Sequence, residues 1–208
     1  MTVVDRDGRQ ESFGQGYRLT PVDRFGIWLN TRKIRGVVPT FEGLTVADLG
    51  CGYNASFTRE ILSLVRRSVV VDIALAADLK AHEKVTAIEG TLPEALTAIG
   101  NGSIDVAVCS NVLEHLWNPL ATLREFRRIV AAGGVVFINV PSWRGKWFLE
   151  FSAFRLGLSP ASEMNDHKMY YDPKDLWPLL VQAGFIPQFI RVGTHKLGLN
   201  TYAVCRAG

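Results

Sequence analysis

The sequence predicts an α/β fold: a doubly wound, mostly parallel seven-stranded sheet that ends in a C-terminal antiparallel hairpin. Two observations carry this. Five β-branched runs, at 45–49, 69–71, 85–88, 104–109 and 135–140, are mostly uniform in their apolar character and are separated by helical patterns. Such runs suit strands buried on both faces of a parallel sheet. After Gly184 the pattern changes to two strand-like stretches, FIPQFIRVG and LGLNTYAVC, joined by a short loop around 194–198. A connection that short requires an antiparallel pair.

The elements follow in chain order. Residues 1–42 hold a helix candidate, VDRFGIWLNTRKIRGVV, which forms an N-terminal helical cap ahead of the first strand. The strand at 45–49 meets a glycine turn, and a helical pattern follows it. In NPLATLREFRRIVAAGG, Asn118 can cap a helix and Pro119 suits its first turn. Leu120, Leu123, Phe126 and Val130 make its inner stripe, and Gly133-Gly134 is expected to end it. In DPKDLWPLLVQAGF, Asp172 caps, Pro173 starts and Gly184 closes a helix whose inner face is Leu176, Leu179, Leu180 and Ala183. Pro178 removes one backbone bond there and should bend it. Residues 142–171 form an aromatic insert, a lid or an acceptor-binding segment, and the whole of 1–208 reads as a single domain.

Composition excludes several function classes. Of 208 residues, 48% are apolar and 21% charged, enough for a core of ordinary density. The net charge of +3 does not argue for nucleic acid without clustering. Arg66-Arg67 and Arg127-Arg128 are local pairs that fit helix ends, where they would stay solvated. The three cysteines, Cys51, Cys109 and Cys205, are far apart and form no zinc or disulfide pattern. The first residues lack the apolar core of a signal peptide, and no apolar run reaches bilayer length. The expectation is a cytoplasmic protein with no metal and no membrane span. Oligomeric state is not legible.

The stretch TVADLGCGYNASF is where chemistry is indicated. Gly50 and Gly52 directly follow the first strand, and in an open parallel sheet ligands bind beyond the strands' carboxyl ends. Missing side chains there let a ligand touch the backbone. Asn54 stands where a third glycine is common, tolerates positive φ, and can also cap a helix. Asp72 ends the second strand about twenty residues on, placed to grip ribose hydroxyls. This pattern suits any adenosine ligand, NAD included, and a tight turn with no ligand at all.

VADLGCGYN resembles the first motif of class I S-adenosylmethionine-dependent methyltransferases, with Asp48 as the acid before the glycines. VVVDIA resembles their second motif. SIDVAVCSNVLEHL, IVAAGGVVFINVPS and DHKMYYDPKDLWPLLVQAGF resemble the later segments of the small-molecule, type 11-like branch, so the likeness spans roughly residues 44–206. The resemblance implies a Rossmann-like sheet, S-adenosylmethionine as methyl donor, and S-adenosylhomocysteine as product. It implies that Asp48, Gly50, Cys51 and Gly52 surround the methionine and ribose. Asp72 would bind the ribose hydroxyls and Ile73 would pack on adenine. Where the family has Gly-Asp after the third strand, this chain has Gly90-Thr91-Leu92, whose backbone and hydroxyl would meet adenine. Ser110, Asn111 and Val112 would lie under the methionine end.

The acceptor side is read from scattered residues. His115 follows the fourth strand and His167 lies beyond the insert; both are candidates for proton transfer, against a reading in which they only shape loops. His82 and His195 read as surface or loop residues. Trp143, Trp147, Phe151 and Tyr171 are candidates for binding the acceptor, against packing of a lid on the core or contact with a membrane surface or a second copy. Tyr17 and Trp28 are expected to help close the cofactor site. The implied function is methyl transfer to a small-molecule, sugar or lipid-linked acceptor. An NAD-dependent oxidoreductase and a non-catalytic cofactor-binding member of the fold stay open, and an RNA methyltransferase fits less well.

Overall fold

The computed structural model describes residues 11–17, 19–146 and 167–208. Five strands run parallel: β1 (Thr45–Leu49), β2 (Arg67–Asp72), β3 (Val85–Glu89), β4 (Ile104–Ser110) and β5 (Val130–Pro141). The hairpin of β6 (Ile190–His195) and β7 (Asn200–Arg206) adds to β5 antiparallel through β7. The sheet order is β3-β2-β1-β4-β5-β7-β6, so the winding direction reverses between β1 and β4. That reversal opens a crevice at the carboxyl ends of the two strands.

Helices cover both faces. Strand residues alternate between them: Ala47, Leu49, Ala107 and Cys109 pack with Leu123, Phe126, Leu176 and Leu180, whereas Val46, Val106, Val108 and Phe137 pack with Ile34, Phe57 and Ile61. The first set comes from α4 (Pro119–Ile129) and α5 (Pro173–Gln182), the second from α1 (Pro21–Val37) and α2 (Ser56–Ile61). A short α3 (Ala77–Lys80) lies between β2 and β3. Helix starts follow local chemistry. Thr20 and Asp23 form a reciprocal capping box on α1, Asn118 accepts from the Ala121 N–H, and Asp172 with Asp175 caps α5. Pro178 is accommodated inside α5, and Gly184 lies just beyond its end.

One boundary differs from the periodicity. α4 ends at Ile129, and Val130, expected on its inner stripe, begins β5. Gly133-Gly134 therefore does not stop a helix; it forms an irregularity in a long strand. The register with β4 jumps from Ile104↔Val130 to Val106↔Val135, and Gly133 takes φ +77°. The backbone of 133–134 is bonded instead to Ala207 beside it (2.5 and 2.9 Å). Tertiary pairing here overrides a helical pattern of marginal length. Of the arginine pairs, Arg127-Arg128 does lie in the last turn of α4, but the rest differs. Arg67 opens β2, and Arg128 donates to the Leu96 and Ile99 carbonyls, both at 2.8 Å, rather than standing in solvent.

Phe126 is fully buried between α4 and the sheet. Phe126→Ala is expected to lower unfolding free energy by about 3–5 kcal/mol through lost transfer energy and a residual cavity, read as a shift of the urea midpoint.

Candidate active site

The crevice is a cavity of about 890 Å³ at the carboxyl ends of β1, β2 and β4, roofed by α1 and reached by the β6–β7 turn. That is near the upper end of small-molecule sites, which run roughly 300–1,000 Å³.

Its floor is the glycine turn. Gly50 and Cys51 N–H groups donate to the Val71 carbonyl (2.8 and 3.2 Å), which holds the turn against β2. Both glycines take φ +73°. A Cβ on Gly50 would overlap Val112, and one on Gly52 would stand 3.1 Å from the Phe13 carbonyl. Each glycine thus meets a positive φ and a close neighbour together. The left-handed residue after them is Ala55 (φ 41°), not Asn54, and no side chain caps α2. Asn54 serves through its carbonyl, which accepts from Arg59 Nε at 2.8 Å.

Asp72 binds this floor together. Its carboxylate accepts from the Gly52 N–H (2.7 Å) and the Ile73 N–H (2.8 Å), and the Ser12 hydroxyl sits against it. Ser12 also accepts from the Ala74 N–H at 2.8 Å. A carboxylate has about four lone-pair directions, so capacity remains for ribose hydroxyls. Asp48 is almost fully buried and accepts from the Thr58 hydroxyl at 2.9 Å. Burial, with the nearby Asp72 charge, pushes its carboxyl up to about 7 despite that bond. The Cys51 thiol is held well above its ordinary value by burial and by the same two carboxylates, so it is no nucleophile.

Every predicted cofactor residue lines the cavity: Asp48, Gly50, Cys51, Gly52, Asp72, Ile73, Gly90, Thr91, Leu92, Ser110, Asn111 and Val112. Gly90 donates to the Asp72 carbonyl at 2.9 Å, and Ser110 Oγ is buried with no hydrogen-bond partner among the described residues. Asn111 is exposed and holds φ +57°, and hydrogen bonds to the buried Asn139 fix it there. Its N–H donates to the Asn139 carbonyl (2.8 Å), its Oδ1 accepts from Asn139 Nδ2 (3.1 Å), and Asn139 Oδ1 meets His195 Nε2 (2.5 Å). His195 is therefore not a loop residue in solvent. Burial and two lysines lower its pKa to about 4, so the ring is neutral and Nε2 carries the proton donated to Asn139.

Of the acceptor candidates, His115 and His167 both reach the cavity, with ring centroids 4.7 Å apart. His167 Nδ1 lies 3.0 Å from the Tyr170 hydroxyl, which orients the ring. Glu114 joins them: one donor atom from each of the three lies within 4.8 Å of the others, an arrangement able to hold a metal ion. This is a counter-observation to the expected metal-free site. Tyr171 does not line the cavity; it is buried in the core cluster, its hydroxyl 3.5 Å from the Leu113 carbonyl. Trp143 is 41% exposed and tilts against Tyr170, outside the lining. Trp147 and Phe151 lie outside the described residues. Tyr17 and Trp28 do not line the cavity either; Phe13, Leu19 and Phe25 close it instead. Ser12, Phe13 and Lys196 carried no motif, and spacing could not have found them; Asn139 lies in the segment IVAAGGVVFINVPS, which gave it no role of its own.

A doubly wound sheet with a glycine turn after β1, an acid ending β2 and a left-handed residue after β4 defines a nucleoside-binding enzyme of the Rossmann-like kind. The chain belongs to the family described as a methyltransferase domain, whose profile matches residues 22–187, and with it to the S-adenosylmethionine-dependent methyltransferases of class I. Curated relatives include a protein of Mycobacterium tuberculosis described as a probable S-adenosylmethionine-dependent methyltransferase, 24% identical over 82% of this chain and 60% of its own. Another is a ubiquinone biosynthesis O-methyltransferase of Vibrio parahaemolyticus, 26% identical over 83% of this chain and 77% of its own. The chain thus spans only about 60% of the mycobacterial relative's length. Among solved structures, the trans-methyltransferase CalH in complex with SAH matches with a TM-score of 0.64 at 20% identity, covering 90% of this chain and 59% of that one. The CurJ carbon methyltransferase matches with 0.61 at 17% identity, covering 92% and 56%. These two show the fold.

Asp48 generates a pH prediction. In the unfolded chain its carboxyl titrates near about 3.9, so from about pH 4 to 7 the folded chain holds a proton that the unfolded chain has released. Its contribution to stability is then most favourable below that window and declines as pH rises to about 7. Asp48→Asn should remove this decline, seen by subtracting its urea-midpoint curve from that of the parent protein. A difference curve flat with pH would contradict the raised carboxyl.

Proposed function

We propose that the protein transfers the methyl group of S-adenosylmethionine to a small-molecule, sugar or lipid-linked acceptor. One observation carries the reading: the glycine floor and the Asp72 carboxylate open into one cavity that continues past Asn111 to His115 and His167, with room for donor and acceptor together. The bound donor supplies an electrophilic methyl carbon on a sulfonium: the acceptor's electron pair bonds to that carbon while the carbon–sulfur pair stays on sulfur. The chain's own residues contribute alignment, which can account for much of the rate.

In this reading Asp72 receives the ribose hydroxyls and the bare backbone at Gly50 and Gly52 takes the methionine chain. Thr91 and Leu92 border the adenine. Asp48 faces the donor's positive charge, which favours its ionised form. His115, with His167 beside it, takes the proton that a hydroxyl acceptor releases. The nicotinamide reading loses its support, since the family and the relatives above are methyltransferases. The N-terminal cap of 1–42, the insert at 142–171 and a single domain across 1–208 remain our reading of the organisation. Among the described residues no helix is long and apolar enough to cross a membrane. The three cysteines are free, which fits a reducing compartment, and we place the protein in the cytoplasm on that ground.

Incubation with S-adenosylmethionine and a panel of hydroxyl, amine and carbon acceptors should release S-adenosylhomocysteine. Asp72→Ala is expected to weaken S-adenosylhomocysteine binding by roughly tenfold or more, since losing a charged hydrogen bond costs about 1.5–3 kcal/mol; calorimetry showing equal affinity would remove Asp72 from the ribose. His115→Gln is expected to lower kcat by about a hundredfold with little change in donor affinity. If turnover instead collapses when the protein is treated with EDTA, the Glu114–His115–His167 group works through a metal ion and not as a proton acceptor.

A further inference from the structure

Lys196 stands at the tip of the β6–β7 hairpin and lines the cavity, where among the described residues no other lysine or arginine does. Its ammonium makes no hydrogen bond or ion pair among the described residues, and lies 3.9 Å from where a Cβ on Gly26 of α1 would be. Burial lowers its pKa to about 8, even though the Glu114 charge acts in the opposite sense. An unpaired cation withdrawn from water is unfavourable unless a counter-charge arrives.

The backbone that delivers it is itself unusual. Lys196 and Leu197 take φ 52° and 58° and Gly198 φ 84°, and Leu197 is 90% exposed. Turns with two successive positive φ values normally use Asn-Gly, and other residues held there are strained. The tip is nonetheless anchored from several sides. His195 meets Asn139 at 2.5 Å, Ser142 Oγ donates to the Gly198 carbonyl at 2.7 Å, and the Ser142 N–H donates to the Leu199 carbonyl at 3.0 Å. A rigid, strained turn that carries an unpartnered ammonium into an otherwise apolar and acidic chamber needs a reason.

We propose that Lys196 recognises the acceptor, and that the acceptor is an organic acid: an apolar body with an anionic oxygen group that pairs with this ammonium. The body would lie along Val22, Phe25, Leu29 and Leu199, which line the same cavity. This rests on the methyltransferase reading and narrows its substrate class. The donor also carries a carboxylate, so the test separates the two sources of negative charge.

Calorimetry first compares S-adenosylhomocysteine with methylthioadenosine, which lacks the amino-acid end. Lys196→Met should bind both as the parent protein does. Protein saturated with S-adenosylhomocysteine is then titrated with 2-naphthoate and with the neutral 2-naphthylmethanol. The parent should prefer the acid, and Lys196→Met should lose roughly tenfold for the acid alone, as for a charged hydrogen bond. A Lys196→Asn/Leu197→Gly double variant should melt higher than the parent, since the turn relaxes, and should lose the same preference. Equal binding of acid and alcohol by the parent, or an undiminished preference in either variant, overturns the proposal. So does a loss confined to S-adenosylhomocysteine in Lys196→Met, which would assign the ammonium to the donor. If the parent binds no S-adenosylhomocysteine, the proposed function fails, and the naphthoate comparison run without it still reads Lys196.

Discussion

The carboxylate of Asp72 ties together three stretches of chain that approach the site from different directions. It receives the N–H of Gly52 from the turn after β1, the N–H of Ile73 from its own strand end, and the hydroxyl of Ser12 from the N-terminal segment. Charged acceptors make the stronger class of hydrogen bond, and this one sits where β2 stops and the sheet offers no further ladder partners. With Val71 holding Gly50 and Cys51, it fixes the turn in a conformation that a residue with a Cβ would resist. The floor of the cavity is therefore formed before any ligand arrives, so less ordering remains to be done on binding.

The opposite wall has an independent support. Asn139, fully buried at the end of β5, reaches Asn111 on one side and His195 on the other. It joins the Asn111 loop after β4 to the hairpin that carries Lys196. The lowered pKa of His195 keeps this network neutral, so the buried Asn139 side chain meets only uncharged partners. The two sides of the cavity thus depend on different parts of the sheet: β1 and β2 at the glycine turn, β5 to β7 at Asn111 and the hairpin.

Acidic groups dominate the chamber. Asp48 and Asp72 line the end of the cavity at the glycine turn, Glu114 lies by the two histidines, and Lys196 is the one lysine of the lining among the described residues. Burial and the nearby Asp72 charge push the Asp48 carboxyl up to about 7, and in the proposed function a positively charged donor would favour its ionised form. In that reading the charge state of the site is coupled to its occupancy.

Reading the chain alone was enough for the strands, the hairpin, the glycine turn and Asp72, because each depends on local signals: periodicity, a turn requirement, a fixed spacing from one strand end to the next. It failed at Val130–Gly134, where pairing with Ala207 outweighed a helical pattern. Tyr171 was open to both packing and acceptor contact, and the core absorbed it. The docking of Ser12 on Asp72, the closing of the cavity by Phe13, the meeting of His115 with His167, and the delivery of Lys196 were decided by tertiary structure. Those partners lie tens of residues apart, and their side chains carry no periodic or spacing signal. Only the packing of the helices and the hairpin on the finished sheet determines which of them share a cavity.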